Sequence, residues 1–275
     1  MKFVSLNTHS WMEEDALNKL KETADFLINQ DIDVIALQEI NQRIDAEEIG
    51  SDLFYCAIEG QQINVKKDNY ARELVLYLRE KGYNYYWSWA CSHIGYDIYD
   101  EGSAILSKQP FEAESLLVSP MDDPTDYHTR QLVLAHFKNE EVPLTVASCH
   151  FSWWSEDKQE GFYYEWEQLL SRLSQLPHHQ VMLFGDFNAP AHIKDEGYSL
   201  VTETFTDVFE LATKKEGSFT VDENIDGWAD NKEKLRIDFG FVLKSMNVLS
   251  YQVIFNDIMG SIVSDHFGIM IETAP

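Results

Sequence analysis

Apolar positions along the chain fall into short blocks. "KFVSL" (2–6), "DVIAL" (33–37), "YNYYWSWA" (83–90), "GSAILS" (102–107), "QLVLAHF" (131–137), "PLTVASCHF" (143–151), "QVMLF" (180–184), "IDFGFVL" (237–243), "VLSYQVIF" (248–255) and "SIVSD" (261–265) predict β-strands. Most are apolar on both alternations, as strands covered on two faces should be. Helical spacing marks 15–29, 70–80, 159–176 and a short stretch around 207–213. In "DALNKLKETADFLINQ", Ala16, Leu17, Leu20, Ala24, Leu27 and Ile28 share one helical face, with Asp15 placed as N-cap. No Pro/Gly/Ser-rich linker or repeat divides the chain, so residues 1–275 are expected to form one α/β domain. Two sheets packed face to face, with helices outside, would bury such strands.

Composition narrows the partners. Hydrophobic residues make up 44%, which is enough for a globular core. Lys and Arg number 21 against 47 Asp and Glu, a net charge of −26, and no basic run exceeds the pairs Lys66-Lys67 and Lys214-Lys215. Such a surface repels long nucleic acids and anionic membranes, so neither is an expected partner. Cys56, Cys91 and Cys149 fit no zinc spacing and read as free thiols in a reducing compartment. The start "MKFVSLNTHSWMEED" lacks a signal-peptide pattern, and no run approaches the ~18 apolar residues of a membrane span. A cytoplasmic location is expected, with no obligate protein partner.

Polar residues recur at the strand ends: Asn7 and His9, Glu39, His150, Asp186 and Asn188, Asp238, and Asp265 with His266. Each alone has an ordinary explanation. Asp186 and Asn188 in "LFGDFNAP" are turn residues by type, and His150 suits a satisfied core histidine. Together they supply carboxylates, amides and two histidines, the set used for oxygen-ligated divalent metals and phosphoryl chemistry. Asp97, Asp100 and Glu101 read as a solvated acidic loop.

The ordered segments "SLNTHSW", "IALQEI", "GSAILSK", "SCHFSWW", "FGDFNAP", "RIDFGFV" and "SDHFGI" resemble the endonuclease/exonuclease/phosphatase (DNase I-like) superfamily. The resemblance runs from Asn7 to His266. It implies a four-layer α/β/β/α sandwich of two mostly antiparallel sheets flanked by helices. It further implies Mg²⁺ or Mn²⁺ at Glu39, with Asn7 and Asp265 completing the metal site. Asp186 would activate water, Asn188 and His266 would contact the phosphoryl group, Asp238 would hold the His266 tautomer, and His150 would assist as second histidine.

Substrate class is less sharply marked. Arg130 and Arg236 are isolated, which suits a single small phosphate. Trp11, Trp153, Trp154 and Trp228 lie beside motif loops, as do Trp87, Trp89, Tyr96 and Tyr99. They read either as packing or as a platform for an apolar sugar face. His9, Trp11, Arg130, Trp153, Trp154 and Trp228 are the candidate substrate contacts. The "LNTHSW" start also resembles the bacterial maltose-6′-phosphate phosphatase branch. The expectation is a metal-dependent hydrolase of a small sugar phosphate. A phosphodiesterase (nuclease or sphingomyelinase-like) and a non-catalytic sugar- or protein-binding module stay open.

Overall fold

The computed structural model of the chain describes residues 1–50, 54–138, 143–176, 180–222, 225, 228 and 231–274. In chain order the elements are β1 (Lys2–Asn7), α1 (Ala16–Gln30), β2 (Val34–Arg43), α2 (Tyr70–Glu80), β3 (Tyr86–Gly95), β4 (Tyr99–Ser107), β5 (Glu112–Leu117), β6 (Gln131–Phe137) and β7 (Leu144–His150). There follow α3 (Gly161–Ser174), β8 (Gln180–Asp186), α4 (Gly197–Thr202), β9 (Thr206–Asp207), α5 (Val208–Leu211), β10 (Lys214–Glu216), β11 (Asp238–Val242), β12 (Val248–Ile254) and β13 (Gly268–Thr273). Seven strands pair in the order β10-β12-β13-β1-β2-β4-β3, and six in the order β5-β6-β7-β8-β11-β9. Pairing is mostly antiparallel. Of the three parallel pairs among the described strands, β1/β2 and β7/β8 are spanned by α1 and α3, because parallel neighbours need a long crossover; β10/β12 is the third.

Side-chain burial sets the layers. Between the sheets, Phe3, Val34, Ala36 and Ile105 meet Val133, Val146, Met182 and Phe184. Beyond the seven-stranded sheet, Leu20, Ala24 and Leu27 of α1 and Leu74, Val75 and Leu78 of α2 close a second core. Beyond the six-stranded sheet, Phe162, Trp166 and Leu169 of α3 close a third. The result is the α/β/β/α sandwich. Each fully buried side chain of this kind contributes about 1.5–3 kcal/mol through apolar area removed from water.

Several local expectations shift. On α1 the buried face is Leu20, Thr23, Ala24 and Leu27, while Leu17 is 52% exposed. Asp15 occupies the N-cap position with φ 57, and its carboxylate accepts from the Asn18 side chain instead of a backbone N–H. The expected strand 261–265 is an irregular loop, and the last strand is β13. This loop is held by Ser264, whose hydroxyl donates to the Asn7 carbonyl at 2.7 Å and accepts from the His266 N–H at 3.2 Å. Trp87 and Trp89 are fully buried under the helices, with Trp89 Nε1 donating to the Ile40 carbonyl, so neither faces a ligand.

Candidate active site

Strand ends from both sheets converge. In the six-stranded sheet, His150 of β7 lies opposite Asp186 of β8, and Asp186 lies opposite Asp238 of β11. Gly185 makes the first pairing possible. Its φ is +144, and a Cβ there would fall 1.9 Å from the Cys149 carbonyl oxygen. From the seven-stranded sheet, β1 ends at Asn7, and Glu39 sits in a β-bulge of β2, where the register shifts between Leu37 and Ile40. Glu39 has a left-handed φ of 53. A bulge re-aims one side chain, and a strained non-Gly position persists only when its surroundings hold it. Here the Thr8 hydroxyl and N–H both donate to the Gln38 carbonyl, at 2.9 and 3.1 Å. The sheets are tied at this level by Gln38, whose amide donates to the Ser148 hydroxyl at 2.9 Å.

The carboxylates crowd one another. Asn7 Nδ2 donates to Glu39 Oε1 at 2.8 Å and to Asp186 Oδ2 at 3.2 Å. Burial pushes the Glu39 carboxyl up, the negative charges of Glu101 and Asp265 push it further, and it reaches about 8. Burial also raises Asp186; the His266 charge opposes this, Asp238 adds to it, and the carboxyl stands at about 7. Asp265 Oδ1 lies 3.9 Å from His9 Nδ1, which bonds Glu13 at 2.8 Å. Burial disfavours the His9 cation, but the Glu13 bond and the Asp265 and Glu39 charges outweigh it, lifting His9 to about 9.

The two histidines take opposite states. His266 Nδ1 lies 3.0 and 3.2 Å from the Asp238 oxygens, so it donates there and Nε2 faces Asp186 Oδ2 at 3.8 Å. Burial works against its charge, but Asp238, Asp186 and Asp265 hold it well above the usual range. His150 Nε2 lies 3.8 Å from the same Asp186 oxygen and 4.0 Å from Glu39 Oε1. Burial, then the positive charge of Arg130, drives His150 well below its ordinary value. The site therefore pairs a cationic imidazole with a neutral one.

Glu39, His150, Asp186 and His266 floor a cleft of about 340 Å³, walled by Tyr96, Tyr127 and Trp153. Asn188, at φ 47, holds Asp186 Oδ1 through its backbone N–H at 2.8 Å. Its Nδ2 donates to the Phe151 carbonyl at 2.9 Å, and its Oδ1 accepts from Trp228 Nε1 at 3.1 Å. Trp228 thus props Asn188 from behind and is absent from the cleft wall. Arg130 lines the cleft although it is only 3% exposed. It donates to the Tyr127 carbonyl at 2.6 Å and to His93 Nδ1 at 3.1 Å, and its Nε has no partner. Trp11 and Trp154 are not brought to the cleft. Trp11 donates to the Asp68 carbonyl and packs on Tyr70, and Trp154 packs on Phe162 and Tyr163 of α3. His128 is exposed and paired with Asp126.

Glu101 and His93 are site residues that the sequence pattern did not mark. Glu101 is buried on β4 with its Oε1 3.3 Å from His93 Nε2. Asp100 is buried as well and accepts Lys66 Nζ at 2.6 Å. Only Asp97, at the tip of the β3–β4 turn, stays solvated as expected. The available signal was an acid directly before the apolar run "GSAIL", inside a strand that begins at Tyr99.

A family model for the Endonuclease/Exonuclease/phosphatase family matches residues 11–266. The chain belongs to this family. It superposes on an endonuclease/exonuclease/phosphatase family protein from Leptotrichia buccalis C-1013-b with TM-score 0.87 and 29% identity, covering 100% of both chains. It shares its fold with mannosyl-6-phosphatase Bt3783 of Bacteroides thetaiotaomicron VPI-5482 (TM-score 0.65, 16% identity, 100% of both chains). The same holds for D. rerio TDP2 complexed with single strand DNA product (TM-score 0.60, 17% identity, 98% of this chain and 97% of that one). No curated protein matches the sequence. Endonuclease/exonuclease/phosphatase enzymes are metal-dependent phosphoester hydrolases, and the chain is a phosphoesterase of this superfamily. Among the described residues, no helix is long and apolar enough to cross a membrane.

The donor set of this family member fits a hard divalent cation. Glu39 and Asp265 present carboxylates, and Glu101 stands close enough to raise Glu39. No Lys or Arg among the described residues pairs with Glu39, so a like-charge cluster calls for a cation with oxygen ligands. Asn7 turns its NH₂ to both carboxylates, while its Oδ1 accepts the His9 N–H at 3.3 Å. In this orientation it clamps Glu39 to Asp186 and offers no oxygen toward them. Asp186, Asp238 and His266 also place ligand-type atoms within 4.8 Å of one another. The His266–Asp238 bond accounts for that group without an ion.

Proposed function

We propose that this phosphoesterase is a Mg²⁺- or Mn²⁺-dependent phosphomonoesterase of a small sugar phosphate, resembling maltose-6′-phosphate phosphatase. We further propose that residues 1–275 act as one catalytic domain in the cytoplasm. The observation that carries the reading is the cleft itself. About 340 Å³ is at the small end for ligand pockets, with acids and imidazoles below and aromatic rings at the sides. A net charge of −26 disfavours a long polyanion. The fold shared with a mannosyl-6-phosphatase is consistent with a phosphorylated sugar.

Glu39 and Asp265, beside Asn7, would hold the cation, which when bound would supply positive charge to stabilise the phosphoryl group. Asp186 takes the proton of the attacking water. A carboxyl near 7 is well matched to that task at neutral pH, and Asn188 and Asn7 pin its two oxygens. His266, kept charged by Asp238, donates from Nε2 to a phosphoryl oxygen. Neutral His150 donates its Nε2–H to the phosphoryl group or the departing oxygen. Asn188 gives one amide hydrogen to Phe151, which leaves the second for the phosphoryl group. Arg130, His9 and Trp153 contact the remainder of the substrate.

The test is phosphate release, with Mg²⁺ or Mn²⁺, from hexose and disaccharide phosphates, nucleotides, inositol phosphates and DNA. Release from sugar phosphates is expected. Cleavage of DNA without release from any sugar phosphate would replace the reading with a phosphodiesterase. Asp186→Asn and His266→Ala should each lower kcat by several orders of magnitude in a folded protein, and a chelator should abolish turnover.

A further inference from the structure

Two cations withdrawn from solvent have carboxylate partners. Lys66 Nζ meets Asp100 at 2.6 Å, and Arg236 Nη1 meets Asp207 at 2.6 Å. Arg130 departs from this pattern. It is buried in the cleft wall and cannot shed its proton, yet it makes no ion pair among the described residues. Its Nη1 donates to the Tyr127 carbonyl and to His93 Nδ1, while Nε and Nη2 make no hydrogen bond among the described residues. A charge taken out of water without an opposite charge is costly, so such a cation calls for an anion from outside the protein. Among the groups Arg130 can meet on a substrate, the phosphate is the one that neutralises it.

His93 keeps the guanidinium in this state. The register shift on β3 sets His93 opposite Glu101, and its ring lies between Glu101 and Arg130. A guanidinium only donates, so His93 Nδ1 accepts and the ring proton sits on Nε2, 3.3 Å from Glu101 Oε1. The Thr129 carbonyl also lies 3.3 Å from Nδ1, but it takes its hydrogen from Arg130 Nη1, at 3.4 Å. The imidazole thus binds both charged groups and holds them apart. A carboxylate in its place would take up the Arg130 charge, and an apolar side chain would leave Nη1 one acceptor short.

We infer that His93 is a positioning residue: it fixes the Arg130 guanidinium and keeps it out of an ion pair with Glu101, so that its charge is available to the phosphate of the substrate. This rests on the phosphomonoesterase reading.

The experiment measures binding of inorganic phosphate, the expected product, by calorimetry in the presence of Mg²⁺, together with KM for hexose and disaccharide phosphates. His93→Leu should weaken phosphate binding about 10-fold, the size of one charge-assisted hydrogen bond, and raise KM alike. His93→Asn, whose Oδ1 replaces Nδ1 as acceptor, should restore binding to within about threefold of wild type. Arg130→Gln should weaken binding at least as much as His93→Leu, and the double variant should be no weaker than Arg130→Gln by more than about twofold, because His93 acts through Arg130. His93→Asp should weaken binding about 10-fold or more with a Tm at or above that of wild type, since it pairs the buried cation; it carries the test if His93→Leu does not fold. Wild-type binding in His93→Leu or His93→Asp, no recovery in His93→Asn, or losses that multiply in the double variant would overturn the inference, the last by giving His93 a role of its own. If wild type cleaves only diesters and binds no phosphate, the functional reading fails and takes this inference with it. If wild type releases phosphate from sugar phosphates and the His93 variants bind phosphate as it does, this inference alone fails.

Discussion

Removing the divalent cation should make the fold lose stability as pH rises through neutrality. Glu39 titrates at about 8 in the folded protein against 4.5 ordinarily, and Asp186 at about 7 against 3.8. Below about pH 4 both states carry the protons and no penalty exists. Between the unfolded and folded values, the native state retains protons that the unfolded chain has released. Stability therefore falls as pH rises, until the folded carboxyls ionise. At ~1.4 kcal/mol for each tenfold change in proton affinity, Glu39 alone has a ceiling near 5 kcal/mol. A fifth of its side chain reaches solvent, and Glu39 and Asp186 share neighbours. We take roughly 2–5 kcal/mol for the two together. In a chain of this size that is on the order of 5–15 °C in Tm.

Cation binding requires the ionised carboxylates, so it must reverse the trend and release protons. The assay is thermal unfolding of wild type and Glu39→Gln, with EDTA or with excess Mg²⁺ or Mn²⁺, at about pH 5.5 and about pH 8.5. In EDTA the variant should be more stable than wild type at the higher pH, with the gap closing at the lower. The cation should raise the wild-type Tm chiefly at the higher pH and leave the variant nearly unmoved. A wild-type Tm that is no lower relative to Glu39→Gln at the higher pH would refute the electrostatic reasoning. An equal cation shift in both proteins would refute the assignment of Glu39 as ligand.

Three further outcomes are expected. Asp238→Asn removes the charge that keeps His266 protonated, so kcat should fall about 10²–10⁴-fold. The residual activity should decline as pH rises past about 6.5, an inflection that wild type should lack. Gly185→Ala places a Cβ against the Cys149 carbonyl and should destabilise by more than about 3 kcal/mol, read as a Tm loss of roughly 8 °C or more. Burial would raise the Glu114 carboxyl, but hydrogen bonds from His136 and Arg172 outweigh it and bring it to about 2. Glu114→Gln should therefore cost about 1–2 kcal/mol at neutral pH after solvent screening, with the gap to wild type narrowing as pH falls from 4.5 towards 2.

Much of the fold is legible because strands sandwiched between two apolar layers have no polar face to write into the sequence. The blocks at 131–137, 143–151, 180–184 and 248–255 each coincide with a strand to within about two residues. Elements that escaped are those whose pattern is set by neighbours. β5 alternates Glu112 and Glu114 with small residues because it is an edge strand whose acids meet Lys138, His136 and Arg172. β13 was masked by the apolar loop ahead of it, whose backbone is organised by Ser264 and not by strand pairing. Eight motif residues were legible as a set: Asn7, His150, Asp186 and Asn188 end or follow a strand, Asp238 opens one, Asp265 and His266 lie in the loop before β13, and Glu39 sits in the β2 bulge. Nothing in the same segments distinguished Trp153, which faces the cleft, from Trp154, which packs on α3. Adjacent positions on an irregular segment point wherever the backbone turns.

The site residues that stayed illegible share one physical cause. Alternation assigns a face to each strand residue only while the register holds, and one inserted residue flips every side chain that follows. On β3, Trp87 and Trp89 face the helix layer, and unbroken alternation would send His93 the same way. The register shifts between Cys91 and His93, so His93 comes to lie opposite Glu101 and on that residue's face. Glu101 already pairs with Asn41 of β2, and with the shift it also gains the imidazole at 3.3 Å. The same device on β2, between Leu37 and Ile40, frees Glu39 from the alternation. Two bulges on strands flanking β4 thus supply Glu39 and His93 to the cleft. A bulge has no composition of its own, so His93 becomes visible only when the partner strand is known.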